Sequence, residues 1–71
     1  MNMTLALLDV VALLEPIPTH KLVAGQVGTI VEELTNTVFE VEFSDAKGQT
    51  ITTCAVDAHH LLKLTHELVL A

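Results

Sequence analysis

Apolar and polar side chains alternate strictly at one place in the chain, Phe39, Glu40, Val41, Glu42 and Phe43. Alternation is the period of a strand with one buried face, so Phe39, Val41 and Phe43 form an inward set and Glu40 and Glu42 face out. Before it, Thr35-Asn36-Thr37 is a polar break in which Asn tolerates the left-handed conformation, and the apolar run from Val27 precedes the break. Val27 to Leu34 and Val38 to Phe43 therefore read as a hairpin. On the first of these strands Ile30 and Leu34 are the favoured inward residues, with Val31 as an alternative because bent strands bury parts of both faces. Gly25 and Gly28 stand where the chain bends into the sheet, a place that needs positive φ or an unobstructed backbone.

The flanking pattern supplies three more strands. Asp9 to Leu14 is a short run stopped by Glu15-Pro16-Ile17-Pro18, since two prolines so close forbid both helix and central strand. Glu15 to Ala24 is then a loop that returns through Leu22 and Val23. Ser44 to Gly48 is a turn with Gly48 at positive φ, and Thr50 to Val56, rich in Thr, Ile and Val, is the fourth strand. After it two readings compete. Asp57 could cap a helix reaching Leu70, with Leu61, Leu64 and Leu68 on one side. The preferred reading is a 3₁₀ turn over Asp57 to His60 and a fifth strand over Leu61 to Leu64, because the first strand needs its edge covered. Thr65 to Ala71 reads as helix or added strand. The result is an all-β fold, a small five-stranded barrel occupying about residues 7–64 of a single domain, with an apolar tail at 65–71.

Length and charge narrow the functional classes. A chain of 71 residues buries only about 60% of its unfolded surface, so a few kcal/mol of net stability is all its own core supplies. Nine acidic side chains against Lys21, Lys47 and Lys63 give a net charge of −6, a field that repels phosphate and draws basic partners. The single cysteine, Cys54, forms no intramolecular disulfide, and the apolar N-terminus lacks the basic flank of a signal peptide. Asp9 interrupts that apolar stretch far short of a membrane span. The expectation is a cytoplasmic protein without membrane contact.

In order along the chain, LLDVVALLEPIP, GQVGTIVEEL, VFEVEFSDAKGQT and AHHLLKL resemble the motifs of the DUF4926 family of bacterial proteins. Its members share a DVVALLEDLP-like start, a GQVGTVVE centre and a YEVEF strand. The resemblance spans roughly Leu7 to Leu64. It implies an SH3-like barrel, no established activity and no catalytic residue, and it suggests a short protein that accompanies a partner, in some cases a toxin-like one. The chain departs from the family pattern at Phe39, where an aromatic hydroxyl is usual, and in the apolar tail after Leu64. The glycine turn and the strand after it are also similar to the KOW motif and to SH3-like subunits of photosystem I and nitrile hydratase.

Candidate chemistry is sparse. Cys54, His59, His60 and His66, with Asp57 nearby, are the ligands a metal would use, but C-x4-H-H matches zinc spacings poorly and adjacent histidines on a turn point apart. Cys54 reads instead as a buried small hydrophobe, and no cofactor is implied. Glu32, Glu33, Glu40 and Glu42 resemble paired carboxylates for acid and base work, yet a solvated strand face accounts for them more simply. Nucleic-acid binding uses aromatic platforms and a cationic groove, whereas this chain has no Trp, no Tyr and three lysines.

A protein partner is what these exclusions leave. The expected function is a non-enzymatic acidic protein-interaction module, most concretely an antitoxin or immunity-like inhibitor of a basic protein, contacting it through Glu32, Glu33, Glu40 and Glu42. The alternative is a structural or regulatory subunit of a larger enzyme complex. A second expected contact is between copies of the chain. Met3, Leu5 and Leu7 precede the first strand and Leu68, Val69 and Leu70 follow the fifth, so one apolar patch at the joined ends favours a homo-oligomer.

Overall fold

A computed structural model describes residues 4–64. Five strands form one antiparallel sheet: β1 (Val10–Leu13), β2 (Val27–Glu33), β3 (Val38–Ser44), β4 (Thr50–Asp57) and β5 (Leu61–Lys63), in the spatial order β4-β3-β2-β1-β5. The first four strands make a meander, and β5 returns to pair with the free side of β1. It does so through Val11, Ala12 and Leu13 opposite Lys63, Leu62 and Leu61. That covers the edge of the first strand, as the sequence requires. Among the described residues no ladder joins β5 to β4, so the sheet is an open, five-stranded form of the expected barrel.

The return to β1 depends on a single turn of 3₁₀ helix, Ala58–His60, whose start is fixed by the Asp57 side chain accepting the His59 amide at 3.3 Å. The chain leaves this turn extended at Leu61, which excludes the alternative of a continuous helix from Asp57. Pro16 and Pro18 stop β1, and Pro18 opens a second 3₁₀ turn, Pro18–His20. Proline suits the first turn of a helix, since its φ is preset and its missing amide is not needed there. Lys21 closes this turn in the left-handed region at φ 58, and Ile17 then bridges to Leu22. The loop is thereby folded over the sheet, with Leu22 only 1% exposed while Val23 remains at the surface.

One core lies beneath the sheet. It consists of Val11 and Leu13 of β1, Leu22, Ile30 of β2, Phe39, Val41 and Phe43 of β3, Cys54 and Val56 of β4, and Leu61 of β5, with Leu5 and Ile17 packed against it. The inward set of β3 is the one its alternation predicts. On β2 the prediction holds for Ile30 and fails for Leu34, which is 45% exposed. The cause is a bulge: Ile30 pairs with Val41 but Glu32 with Glu40, leaving Val31 as an extra residue, 38% exposed. One inserted residue reverses the facing of everything after it. Leu34 then falls in the hairpin turn, its amide donating to the Val38 carbonyl.

That turn is not built on a left-handed Asn36, since among the described residues the positive-φ positions other than glycine are Leu8 and Lys21. Thr35 Oγ1 organises it by accepting the amides of Thr37 and Val38 at 3.1 and 3.0 Å. Gly25 and Gly48 do adopt positive φ, 90° and 81°. Gly28 serves the other purpose, close approach: a Cβ there would lie 2.7 Å from Val41 Cγ1 and 2.8 Å from the Glu42 carbonyl oxygen.

Candidate protein-interaction surface

Side chains directly opposite one another on antiparallel strands share a face. The register therefore sorts the four glutamates singled out by sequence. Glu32 lies opposite Glu40, and Glu42 opposite Thr29, all on the outer side of the sheet. On their other flank Glu40 and Glu42 meet Ala55 and Thr53 of β4. Glu33 pairs with the buried Phe39, which puts it on the other side at the exposed end of β2. Three of the four carboxylates thus form one acidic surface and the fourth stands apart.

Within that surface Glu40 and Glu42 are half-buried between their neighbours, whereas Glu32 is exposed. Two like charges at directly opposed positions repel, by about 1 kcal/mol at 4 Å in water and more where solvent is partly excluded. Among the described residues no cation relieves them. The contacts between acidic and basic side chains there are the Lys63–Asp9 ion pair at 3.3 Å and the His59–Asp57 contact at 2.6 Å, an ion pair only when the imidazole is protonated. The bulge at Val31 builds this pair, because it moves Glu32 onto the face of Glu40.

Beside the acidic surface runs an apolar band that the sequence reading missed. Leu62 of β5, Ala12 of β1 and Val27 of β2 are cross-strand neighbours on the outer side. Leu62 and Val27 are 44% and 45% exposed. Val27 continues into a shallow groove of about 370 Å³ between the turn before β2 and the turn after β3, with Val23, Gln26, Asp45 and Ala46 in its walls. The signal in the sequence was the parity of Val27 against Ile30, which puts the two on opposite faces.

Of the residues assigned to contacts between copies, Leu5 is half-buried against the core of its own chain and Leu7 is exposed. The start of the described chain is tied to β5 by Lys63 Nζ, which donates to the Thr4 carbonyl at 3.4 Å and pairs with Asp9. Met3, Leu68, Val69 and Leu70 lie outside the described residues, as does His66. Cys54 is buried, and burial raises its thiol above the ordinary value of 9.0. The thiolate is the nucleophile, so this shift disfavours reactivity. His59 is engaged by Asp57 and meets His60 edge-on, ring centroids 4.6 Å apart. Among the described residues no three His, Cys, Asp or Glu side chains are grouped to hold a metal, and no helix is long and apolar enough to cross a membrane.

No curated protein and no solved structure matches the chain. A family model does, the domain of unknown function DUF4926, over residues 7–63, a span that takes in every strand from β1 to β5. The chain belongs to the DUF4926 family.

Proposed function

We propose that this chain is a non-enzymatic module that binds a basic protein through the outer surface of β2 and β3, in the manner of an antitoxin or immunity-like inhibitor. The observation that carries this reading is the uncompensated apposition of Glu32 and Glu40 on one face with Glu42. A lysine or arginine brought between Glu32 and Glu40 relieves repulsion already present in the free protein, so the partner gains from both sides of the change. A net charge of −6 adds long-range steering of a basic surface. The apolar band from Leu62 to Val27 favours a second reading, a subunit held in a larger complex, because exposed apolar area contiguous with a polar rim suits a longer-lived interface.

The experiment is parallel affinity capture from the cells that make the chain, using the wild type, E32Q/E40Q/E42Q, and V27S/L62S. Under the first reading one basic protein is retained by wild type and V27S/L62S, and is lost both from E32Q/E40Q/E42Q and on raising salt. Retention lost only in V27S/L62S and insensitive to salt selects the complex subunit. A partner indifferent to both substitutions refutes both surfaces.

A further inference from the structure

Among the described residues the sheet ends at β4, whose ladder runs to β3 alone. The backbone groups along its free side have no backbone partner among the described residues. Such an edge presents directed donors and acceptors that another extended strand satisfies. Edges are ordinarily blunted by lysine, proline, an inward-pointing charge or a bulge. From Thr50 to Val56, β4 has neither charge nor proline. One blunting device is present, a register slip that makes Ile51 an extra residue opposite Phe43 and Ser44. Thr50, Ile51, Thr53 and Ala55 are exposed along the strand.

We propose that β4 pairs antiparallel with β4 of a second copy of this chain, about a two-fold axis at Thr53, so that two sheets become one. Charge selects this occupant. In a molecule of net charge −6, an uncharged edge is where two copies meet with least repulsion, whereas a basic strand would gain nothing from it. An axis at Thr53 lays the uncharged stretch upon itself. It also sets Ile51 opposite Ala55 of the second copy on the outer side, covering a side chain that is 43% exposed in the single chain. The ends match as well. Lys47, at the tip of the turn between β3 and β4, comes to the end of the neighbouring strand that carries Asp57. Asp45 stays on the β3 side of that turn, accepting the amides of Lys47 and Gln49 at 2.8 and 2.9 Å.

Sedimentation of the purified full chain, together with variants at Thr53, tests the pairing. The wild type is expected to be dimeric at high micromolar concentration and T53K monomeric, because the new lysine faces its own copy across the axis. T53K should remain folded by circular dichroism, since within its own sheet the lysine lies beside Glu42. T53E alone should also be monomeric, and mixing T53K with T53E should restore a dimer. T53C should form a disulfide-linked dimer under mild oxidation, with T29C, on the central strand, as the variant that does not. A wild type that stays monomeric overturns the proposal, and so does a dimer that T53K leaves intact. E32Q/E40Q/E42Q is expected to remain dimeric, which keeps this result separate from the acidic surface proposed for the basic partner.

Discussion

At the residue scale, Gly28 and Gly48 are both required, for opposite reasons that substitution separates. Gly28 → Ala forces a methyl group against Val41, Phe43 and a backbone carbonyl, all closer than 3 Å; overpacking of this kind costs about 1–3 kcal/mol. Gly48 has open space around its Cα but a φ of 81°, and a left-handed L-residue costs about 1–2 kcal/mol. Asparagine tolerates that conformation, so Gly48→Asn should lose less stability in urea than Gly48→Ala, whereas Gly28→Asn should be worse than Gly28→Ala. Phe43 is fully buried near the end of β3, and Phe43→Ala should cost about 3–5 kcal/mol, enough to unfold so small a domain. Cys54 carries a pH dependence. Burial raises its folded thiol above 9.0, so the unfolded chain loses its proton first. The stabilising contribution is therefore complete below the ordinary thiol value and is lost as pH rises from there through the folded value. Thermal melts should show an alkaline decline in the wild type that is weaker in Cys54→Ala. Of these positions the glycines, Phe43 and Cys54 were legible in the sequence, because each sits in a strand or turn of clear pattern. Leu22 was not: it stands in a polar, proline-stiffened loop, and its burial comes from a left-handed Lys21 and a bridge to Ile17 that no periodicity encodes.

At the scale of elements, the pattern predicted every strand to within a residue at each end, because β1 to β4 are short runs with β-branched residues bounded by proline, glycine or polar turns, and β5 follows from the need to cover the edge of β1. What it missed is an insertion. The bulge at Val31 has no marker in VEEL, where two adjacent glutamates break the alternation and fit either facing, and only the pairing with β3 reveals it. Its consequences are measurable on both faces. Leu34, turned out to solvent, should accept Leu34→Ser with a stability change within about 0.5 kcal/mol, whereas Ile30→Ala should cost about 2–5. On the outer side, removing one charge from the opposed pair should help: Glu40→Gln is expected to raise stability by about 0.2–1 kcal/mol at low ionic strength, with the gain shrinking as salt is added. An unchanged or lowered midpoint for Glu40→Gln at low salt would show that the two carboxylates do not repel one another in the folded protein. The candidate surface was thus partly legible. The four glutamates came from the sequence, while the placing of Glu32, Glu40 and Glu42 on one face, of Glu33 on the other, and the opposition of Glu32 to Glu40 came from register.

At the scale of the whole molecule, stability is a contest between a small core and a net charge of −6. Among the described residues ten buried side chains make up that core, and domains of this size keep only a few kcal/mol after the entropy of ordering is met. Self-repulsion among nine carboxylates acts against the compact state, since unfolding lets like charges separate. Against it stands, among the described residues, the ion pair of Lys63 with Asp9, which also fastens the start of the chain to β5; the contact of His59 with Asp57 adds to it only when the imidazole is protonated. A half-buried pair at the surface such as Lys63 with Asp9 contributes on the order of 1 kcal/mol. Salt screens both kinds of interaction, with a Debye length of about 10 Å at 0.1 M. The sign of its effect therefore reports which is larger. Repulsion involves many more charges than attraction does here, so the melting temperature should rise as sodium chloride is increased from low to physiological ionic strength. Lys63→Met, which removes a cation and leaves Asp9 unpaired, should steepen the rise. Glu32→Gln/Glu40→Gln should flatten it. A melting temperature that falls with added salt in the wild type would mean that the Asp9 and Lys63 link outweighs the net field, and the acidic surface would then lose its claim to be a store of unrelieved repulsion.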